Sequence, residues 1–309
     1  MTEEHLSLQG HQGHVSAIRF TADGKLMLTA GMDNLIKLWS VEDDFAEARS
    51  LEAHDKPLND IALSPDQTLL VSVGADRLVK LWSFPDLEPI ETLQGHKNTI
   101  AAVQFSPDGK LFATASFDTT VRVWDRETGE CVHTLKGHKR NVTSLAWLSM
   151  PGSPAGPAGV KAGTVLASAG LGDDIVLWRL PSGEREELVT GHKAAVTLGG
   201  VTPDGQRLIS AGYEGQVKLW SVGTWAPKGN FEPGVAGLLC LALAPHGTML
   251  AIGSEKSVAL WSLETFEELT ELPIKPKGLF AVAFSPDTEW LVASGSDKKL
   301  RVWSVDSII

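Results

Sequence analysis

The chain is poor in cysteine. Cys131 and Cys240 are the only two in 309 residues. They lie in separate apolar stretches and fit no metal or redox spacing, so a reduced, cytoplasmic protein is the simplest reading. Basic charge is also scarce. There are 27 Lys and Arg against 38 Asp and Glu, a net charge of −11. Such a chain lacks the basic footprint of a general nucleic-acid binder, and an anionic membrane would repel it. No apolar run approaches the roughly 20 residues of a membrane-spanning helix. The N-terminus, MTEEHLSLQGHQ, has neither a basic nor an apolar leader region, and we expect no secretory signal there. No segment carries a helical period. No zinc-protease, P-loop or nucleophile-elbow motif is present, and nothing calls for a cofactor.

What the chain does contain is a repeat. Its clearest copy is Leu93–Trp124, LQGHKNTIAAVQFSPDGKLFATASFDTTVRVW. Seven tryptophans sit in the same local setting: Trp39, Trp82, Trp124, Trp178, Trp220, Trp261 and Trp303. Their successive spacings are 43, 42, 54, 42, 41 and 42 residues. A period near 42 is that of a four-stranded propeller blade. The long interval holds the Pro/Gly-rich stretch Leu148–Ala162, placed between two strands as an inserted loop of the fourth blade.

Within each period apolar residues alternate every second position, as in strands. In the clearest copy the strands are Ile100–Phe105, Leu111–Ala115, Val121–Trp124 and Cys131–Leu135. Ser106-Pro107-Asp108-Gly109 is the turn between the first two. Only SVDSII follows Trp303, too little for a fourth strand, but Glu3–Leu8 matches one in position. The expected fold is all-β: one seven-bladed propeller over residues 1–309, closed by an N-terminal strand that completes the last blade.

The chain resembles the WD-repeat family of β-propellers along its whole length. Only Trp124-Asp125 has the dipeptide that names the family; five copies read Trp-Ser and one Trp-Arg. The resemblance implies a structural tetrad in many blades, joining the His of Gly-His, a hydroxyl of the second strand, the Asp of the next turn and the Trp. The Asp would orient the imidazole, which would reach the hydroxyl and the indole N–H. Three sets are complete by position: His11, Thr29, Asp33 and Trp39; His54, Ser72, Asp76 and Trp82; His96, Thr114, Asp118 and Trp124. In the fourth blade Gly172 holds the acid position beside His138, Ser168 and Trp178. The fifth has Glu214 with His192, Ser210 and Trp220. The sixth and seventh lack the His, with Gly234 and Lys275 in its place, and have Ala251 and Ala293 for the hydroxyl. The first three blades should be the stiff part and the last two the loose part.

A His/Ser/Asp set invites a catalytic reading, but an active site needs no copies in every repeat, so the sets read as scaffold. His11 and His14, with His5 nearby, have no further ligands to complete a metal site. Trp225 has no counterpart in the other repeats and is expected to be exposed. Lys37, Lys80, Arg122, Lys218 and Arg301, each two residues before a Trp, should pack their stems between blades with their heads in water. The acids after each Trp, such as Glu42, Asp43, Glu88, Glu91, Glu184 and Glu267, read as a solvated rim.

The family resemblance also implies a partner surface around the channel mouth. The positions three and five residues after the His, and the one before the turn acid, point there. They are His14, Pro57, Thr99, Asn141, Ala195, Gly237 and Gly278; Ser16, Asn59, Ala101, Thr143, Thr197, Leu239 and Phe280; and Met32, Ala75, Phe117, Leu171, Tyr213, Ser254 and Ser296. None is charged, although 21% of the chain is. Met32, Phe117, Leu171, Tyr213, Leu239 and Phe280 would be apolar anchors, with His14, Asn59 and Asn141 as polar contacts. The bland alternative is that small uncharged residues merely pack the narrow mouth. The expected function is a non-catalytic scaffold that binds a protein or peptide, is monomeric by itself, and uses no metal, nucleic acid or membrane. One alternative is a subunit that contacts partners through the 148–162 loop or the outer rim. An enzyme is the other, disfavoured by an apparently uncharged channel mouth.

Overall fold

The computed structural model describes residues 5–149, 164–234, 237–274 and 278–309. They form seven four-stranded antiparallel sheets. In blades 1 to 6 the strands follow one another outward in chain order, and the first strands of neighbouring blades touch around a closed ring. Blade 3 consists of Ile100–Phe105, Leu111–Ser116, Thr120–Asp125 and Cys131–Lys136. Its second strand is buried at every position and its outer strand alternates, because adjacent blades sandwich the inner strands while the outer edge meets water.

The apolar core is divided among the blade interfaces. Seven clusters of buried side chains each join two neighbouring blades, including the seam between blades 7 and 1. Between blades 3 and 4, for example, Val121 and Val123 pack against Trp147, Leu166 and Trp178. Each blade therefore depends on its neighbour for half of its core.

The ring closes through the N-terminus. Leu6–Gln9 pairs antiparallel with Lys299–Ser304, Leu6 opposite Val302 and Leu8 opposite Leu300. The amide of His5 donates to Val302 O at 2.9 Å. The closing strand thus lies where the repeat count places it. Leu6 and Leu8 pack on a cluster containing Met27, Trp39 and Phe45.

The Ser-Pro-Asp-Gly turn has a specific internal geometry. The Ser106 hydroxyl donates to Asp108 Oδ1 at 2.6 Å, and Gly109 N–H donates to Ser106 O at 2.9 Å. Gly109 has φ +69°; where the repeat lacks this glycine, Gln67 and Thr288 adopt the same left-handed conformation.

Two expectations about loops need correction. Leu148, placed in the inserted loop, belongs to the strand Val142–Ser149 and is buried, so the insertion begins later. The rest of that loop lies outside the described residues. Trp225 is buried, not exposed, and it has counterparts. It is the left-handed residue that closes the turn before the outer strand, its N–H donating to Ser221 O at 2.7 Å. Leu87 and Phe266 do the same in blades 2 and 6, each five residues after the blade Trp. The side chain then folds back over the neighbouring blade's edge instead of into water.

Among the described residues the only helix is the single 3-10 turn Val305–Ser307. No helix among them is long and apolar enough to cross a membrane.

Candidate partner-binding face

Hydrogen-bonded tetrads fix the loops of one face. In blade 1, His11 Nδ1 lies 2.8 Å from Asp33 Oδ1, and His11 Nε2 lies 2.8 Å from Thr29 Oγ1. The Trp39 indole N–H donates to the same Thr29 oxygen at 2.9 Å. The hydroxyl, not the imidazole, is therefore the hub. It accepts from Trp and donates to Nε2, which leaves the proton of a neutral imidazole on Nδ1, facing the acid. Blades 2 and 3 repeat this with His54, Ser72, Asp76 and Trp82, and with His96, Thr114, Asp118 and Trp124.

The glycine ending the second strand makes the geometry possible. A Cβ on Gly31 would collide with both His11 Nδ1 and Asp33 Oδ1. Burial would raise the Asp33 pKa, but the His11 contact and backbone N–H bonds outweigh it and hold the carboxyl at about 2. Asp118 is held at about 2 against burial by Thr120, the Lys97 amide and His96.

The fifth tetrad also closes, beyond the three complete by sequence. His192 Nδ1 lies 2.6 Å from Glu214 Oε1, and Ser210 bridges His192 and Trp220 at 2.8 Å each. In blade 4 Ser168 joins His138 and Trp178 without an acid, and burial pushes the His138 pKa down to about 4. In blade 6 the hydroxyl position falls on Ile252 and not, as the count from the Trp suggested, on Ala251, which faces blade 7; the buried Trp261 Nε1 has no partner. Blade 7 substitutes an ion pair, Asp297 with Arg301.

The cations two residues before each Trp do not extend their heads into water. Lys37 bonds Glu47 at 2.6 Å and Lys80 bonds Ala53 O at 2.8 Å. Lys218 bonds Gly191 O, and Arg122 has a buried Nε and reaches Cys131 Sγ at 3.5 Å. They tie the third strand to the outer strand or the entering loop.

The channel between the inner strands holds a cavity of about 540 Å³. Ser16, Asn59, Ala101, Thr143, Thr197, Leu239 and Phe280 all line it. The other two sets of positions are joined by backbone bonds at its rim. Met32 N–H donates to His14 O, Phe117 to Thr99, Leu171 to Asn141 and Tyr213 to Ala195, at 2.7–2.9 Å. Met32, Leu171, Tyr213 and Phe280 are among the few exposed large apolar residues, Leu171 and Tyr213 at 49% each. Phe117, Leu239, Asn59 and Asn141 are half-buried. His14 stacks on Phe280 with ring centroids 4.6 Å apart. Asn59 Nδ2 donates to Ile100 O at 2.7 Å in the next blade, so its amide nitrogen is committed to the ring. Blade 6 departs from the pattern: Gly237 is buried and Ser254 turns inward onto Ser257.

The channel is not free of charge, as the sequence suggested. Asp60 is buried in its wall and bonds Arg19 at 2.7 Å, Ile61 N–H at 2.9 Å and Val103 N–H at 3.0 Å. Burial raises its pKa against the opposing Arg19 charge. Both oxygens are occupied, so the group clamps blades 1, 2 and 3 together. Among the described residues no cluster of three His, Cys, Asp or Glu side chains is placed to hold a metal.

Around the apolar rim the loops carry cations that the sequence pattern did not draw together. Lys56, Arg77, Lys97, Lys139, Arg140, Lys193, Lys256 and Lys298 are all exposed. The signal was in the sequence: Lys97, Lys139 and Lys193 each directly follow a tetrad His.

The chain belongs to the WD domain, G-beta repeat family, whose pattern matches residues 3–40, 46–83, 87–125, 129–179, 184–221 and 267–304. The unmatched interval holds the inner strands of blade 6, where His and hydroxyl are missing, so the structure shows seven blades where the pattern marks six. The chain is 28% identical over 148 residues to WD repeat-containing protein SL1-17 of Schistosoma mansoni, covering 46% of this chain and 48% of the other. It is 28% identical over 125 residues to small ribosomal subunit protein RACK1 of Schizosaccharomyces pombe, 38% of each chain. To transcription factor unc-37 of Caenorhabditis elegans it is 29% identical over 138 residues, 41% of this chain and 22% of the other. The matched segments span about half or less of these relatives.

Proposed function

We propose that the protein is a non-catalytic scaffold that holds a protein or peptide segment across the channel mouth. The observation that carries this reading is the exposure of Met32, Leu171, Tyr213 and Phe280 around one opening, Met32 and Tyr213 on loops held by complete tetrads and Phe280 on an inner strand. Leaving large apolar side chains in water is unfavourable, and because these are 37–49% exposed, a partner covering each recovers roughly 0.5–1.5 kcal/mol. Rigid loops lose little entropy on binding. Relatives named as a ribosomal subunit protein and a transcription factor support an assembly role over a reaction. The unpaired Cys131 and Cys240 favour a reducing compartment such as the cytoplasm.

The alternative docking site at the outer rim has one observation in its favour. Ile90, Val132, Leu188 and Leu269 are exposed on outer strands. They lie on four different blades, whereas the channel-mouth residues converge on one opening.

Affinity capture from the native source tests the reading. Phe117→Ala with Tyr213→Ala should abolish capture of the partner while the far-UV spectrum and melt stay unchanged. Ile90→Ser with Leu188→Ser should leave capture intact. The opposite pattern moves the site to the rim.

A further inference from the structure

We infer that the segment docked at the channel mouth is an acidic peptide, one that carries Asp or Glu beside its apolar anchors. This rests on the reading of that face as the docking surface and adds the partner's charge to it. Blades 3, 4 and 5 form a continuous arc that presents Phe117, Leu171 and Tyr213. Between these anchors stand Lys97, Lys139, Arg140 and Lys193, all exposed. Among the described residues none of the four is in an ion pair, although other exposed cations of the chain are, as in Lys25–Glu42 at 2.9 Å and Arg49–Glu88 at 3.6 Å.

The acids of the same arc are less available to a ligand. The carboxylates of Asp118 and Glu214 are turned into their blades, where the His96 and His192 imidazoles meet them at 2.9 and 2.6 Å. Blade 4 has no acid at that position, since Gly172 occupies it. Asp173 and Glu232, which accepts from Gln216 Nε2 at 2.8 Å, are the arc's exposed acids, and Asp174 is half-buried.

Over the whole face the eight exposed cations outnumber the exposed acids Asp55, Asp173, Glu232 and Glu255. Even with Asp174 and the four tetrad carboxylates counted, the acids exceed the cations by only one, on a chain of net charge −11. The negative charge lies elsewhere, on the outer strands and on the turns at the far end of the channel. The protein is thus electrically polar, with its least acidic face surrounding its exposed apolar side chains. An acidic segment meets cations here and is repelled from every other surface, which steers it to the mouth and fixes its register. A basic segment would be drawn to the rim instead. The acidic bulk of the chain repels a nucleic acid.

A displayed library of random 12-residue peptides, selected on the intact protein, tests this. Peptides enriched on the wild type should carry more Asp and Glu than Lys and Arg, together with Leu, Phe or Trp. Synthesised and titrated, they should bind about tenfold more weakly to the Lys139→Glu, Arg140→Glu protein, and more weakly as salt rises. Melting of that variant should match the wild type, because both residues are exposed. Enriched peptides that need Phe117 and Tyr213 but are neutral or basic overturn the charge inference and leave the docking face standing. Acidic peptides indifferent to Phe117→Ala and Tyr213→Ala remove the docking face and this inference with it. Failure to enrich any acidic peptide, or displacement of the peptides by oligo-dT at comparable concentration, also overturns it.

Discussion

Replacing Ile252 with threonine should leave the protein more stable than the isosteric Ile252→Val, because blade 6 lacks a bond that five other blades make. In blades 1 to 5 a hydroxyl ten residues before the Trp accepts the indole N–H at 2.8–2.9 Å. In blade 6 the register is one residue shorter, so Ile252, opposite Ala259 and on the face of Trp261, holds that position, and Trp261 Nε1 is buried without a partner. A buried donor left unsatisfied costs about 1–3 kcal/mol. The introduced hydroxyl has no imidazole to donate to, since Gly234 stands at the His position. Blade 4 shows an alternative acceptor, the carbonyl of Val176 at 3.4 Å from Ser168 Oγ, and Ala259 is its counterpart in blade 6. Burial of the new hydroxyl offsets part of the gain, leaving about 1 kcal/mol over the valine variant. The converse change, Ser210→Ala in blade 5, strands both Trp220 Nε1 and His192 Nε2 and should cost about 2–4 kcal/mol. Urea unfolding measures both. Seven blades need not unfold together, so amide exchange in Met249–Gly253 and Ser257–Ser262 supplies the local reading. Slower exchange there in Ile252→Thr than in Ile252→Val is the expected result. If Ile252→Thr exchanges no more slowly than Ile252→Val while Ser210→Ala costs nothing measurable, the tetrads do not stabilise the blades as argued.

Other consequences follow from the same geometry. Burial holds His96, His138 and His192 below the ordinary imidazole value, His138 at about 4. The unfolded chain takes up these protons first, so stability should be full above about pH 6.5 and fall between there and pH 4, with His138 alone losing about 2 kcal/mol by pH 5. Asp33 and Asp118, held at about 2, add a second loss as pH falls from about 4 to 2. A urea midpoint that is flat between pH 7 and 5, or a pH slope that is undiminished in His138→Gln, contradicts this. Gly31→Ala should cost about 1–3 kcal/mol by forcing His11 and Asp33 apart, while Gly172→Ala, whose Cβ meets open space, should change stability by less than about 0.5 kcal/mol. Equal effects of the two substitutions refute the collision. Removing residues 1–9 strips Leu6 and Leu8 from the seam and should lower the thermal midpoint cooperatively; an unchanged melt refutes the closure.

The strands were legible because two-residue alternation, the Ser-Pro-Asp-Gly turn and a Trp recur with one period, each a local cause of local structure. What escaped depended on three dimensions. Glu214 closes a tetrad with a side chain one methylene longer than Asp, and the clue was that it stands 22 residues after His192, as Asp33 does after His11. Trp225 seemed an orphan because its counterparts are Leu87 and Phe266. They share a left-handed backbone and a place five residues after the Trp, not a residue type. Asp60 looked like any strand residue, and only the ring brings Arg19 and Val103 to it from two other blades. The rim positions around the channel were legible from the repeat alone, except in blade 6, where the turn after the second strand is one residue shorter, so Ser254 takes the inward place of Gly31 and Glu255 stands at the rim.

Hydrogen exchange of the protein with and without its captured partner tests the central claim most directly. The account predicts protection of the loops containing Met32, Phe117, Leu171 and Tyr213, on several blades at once, with the outer strands unchanged. Protection confined to outer strands such as Pro89–Leu93 and Glu184–Thr190, with those loops exchanging as in the free protein, would contradict it.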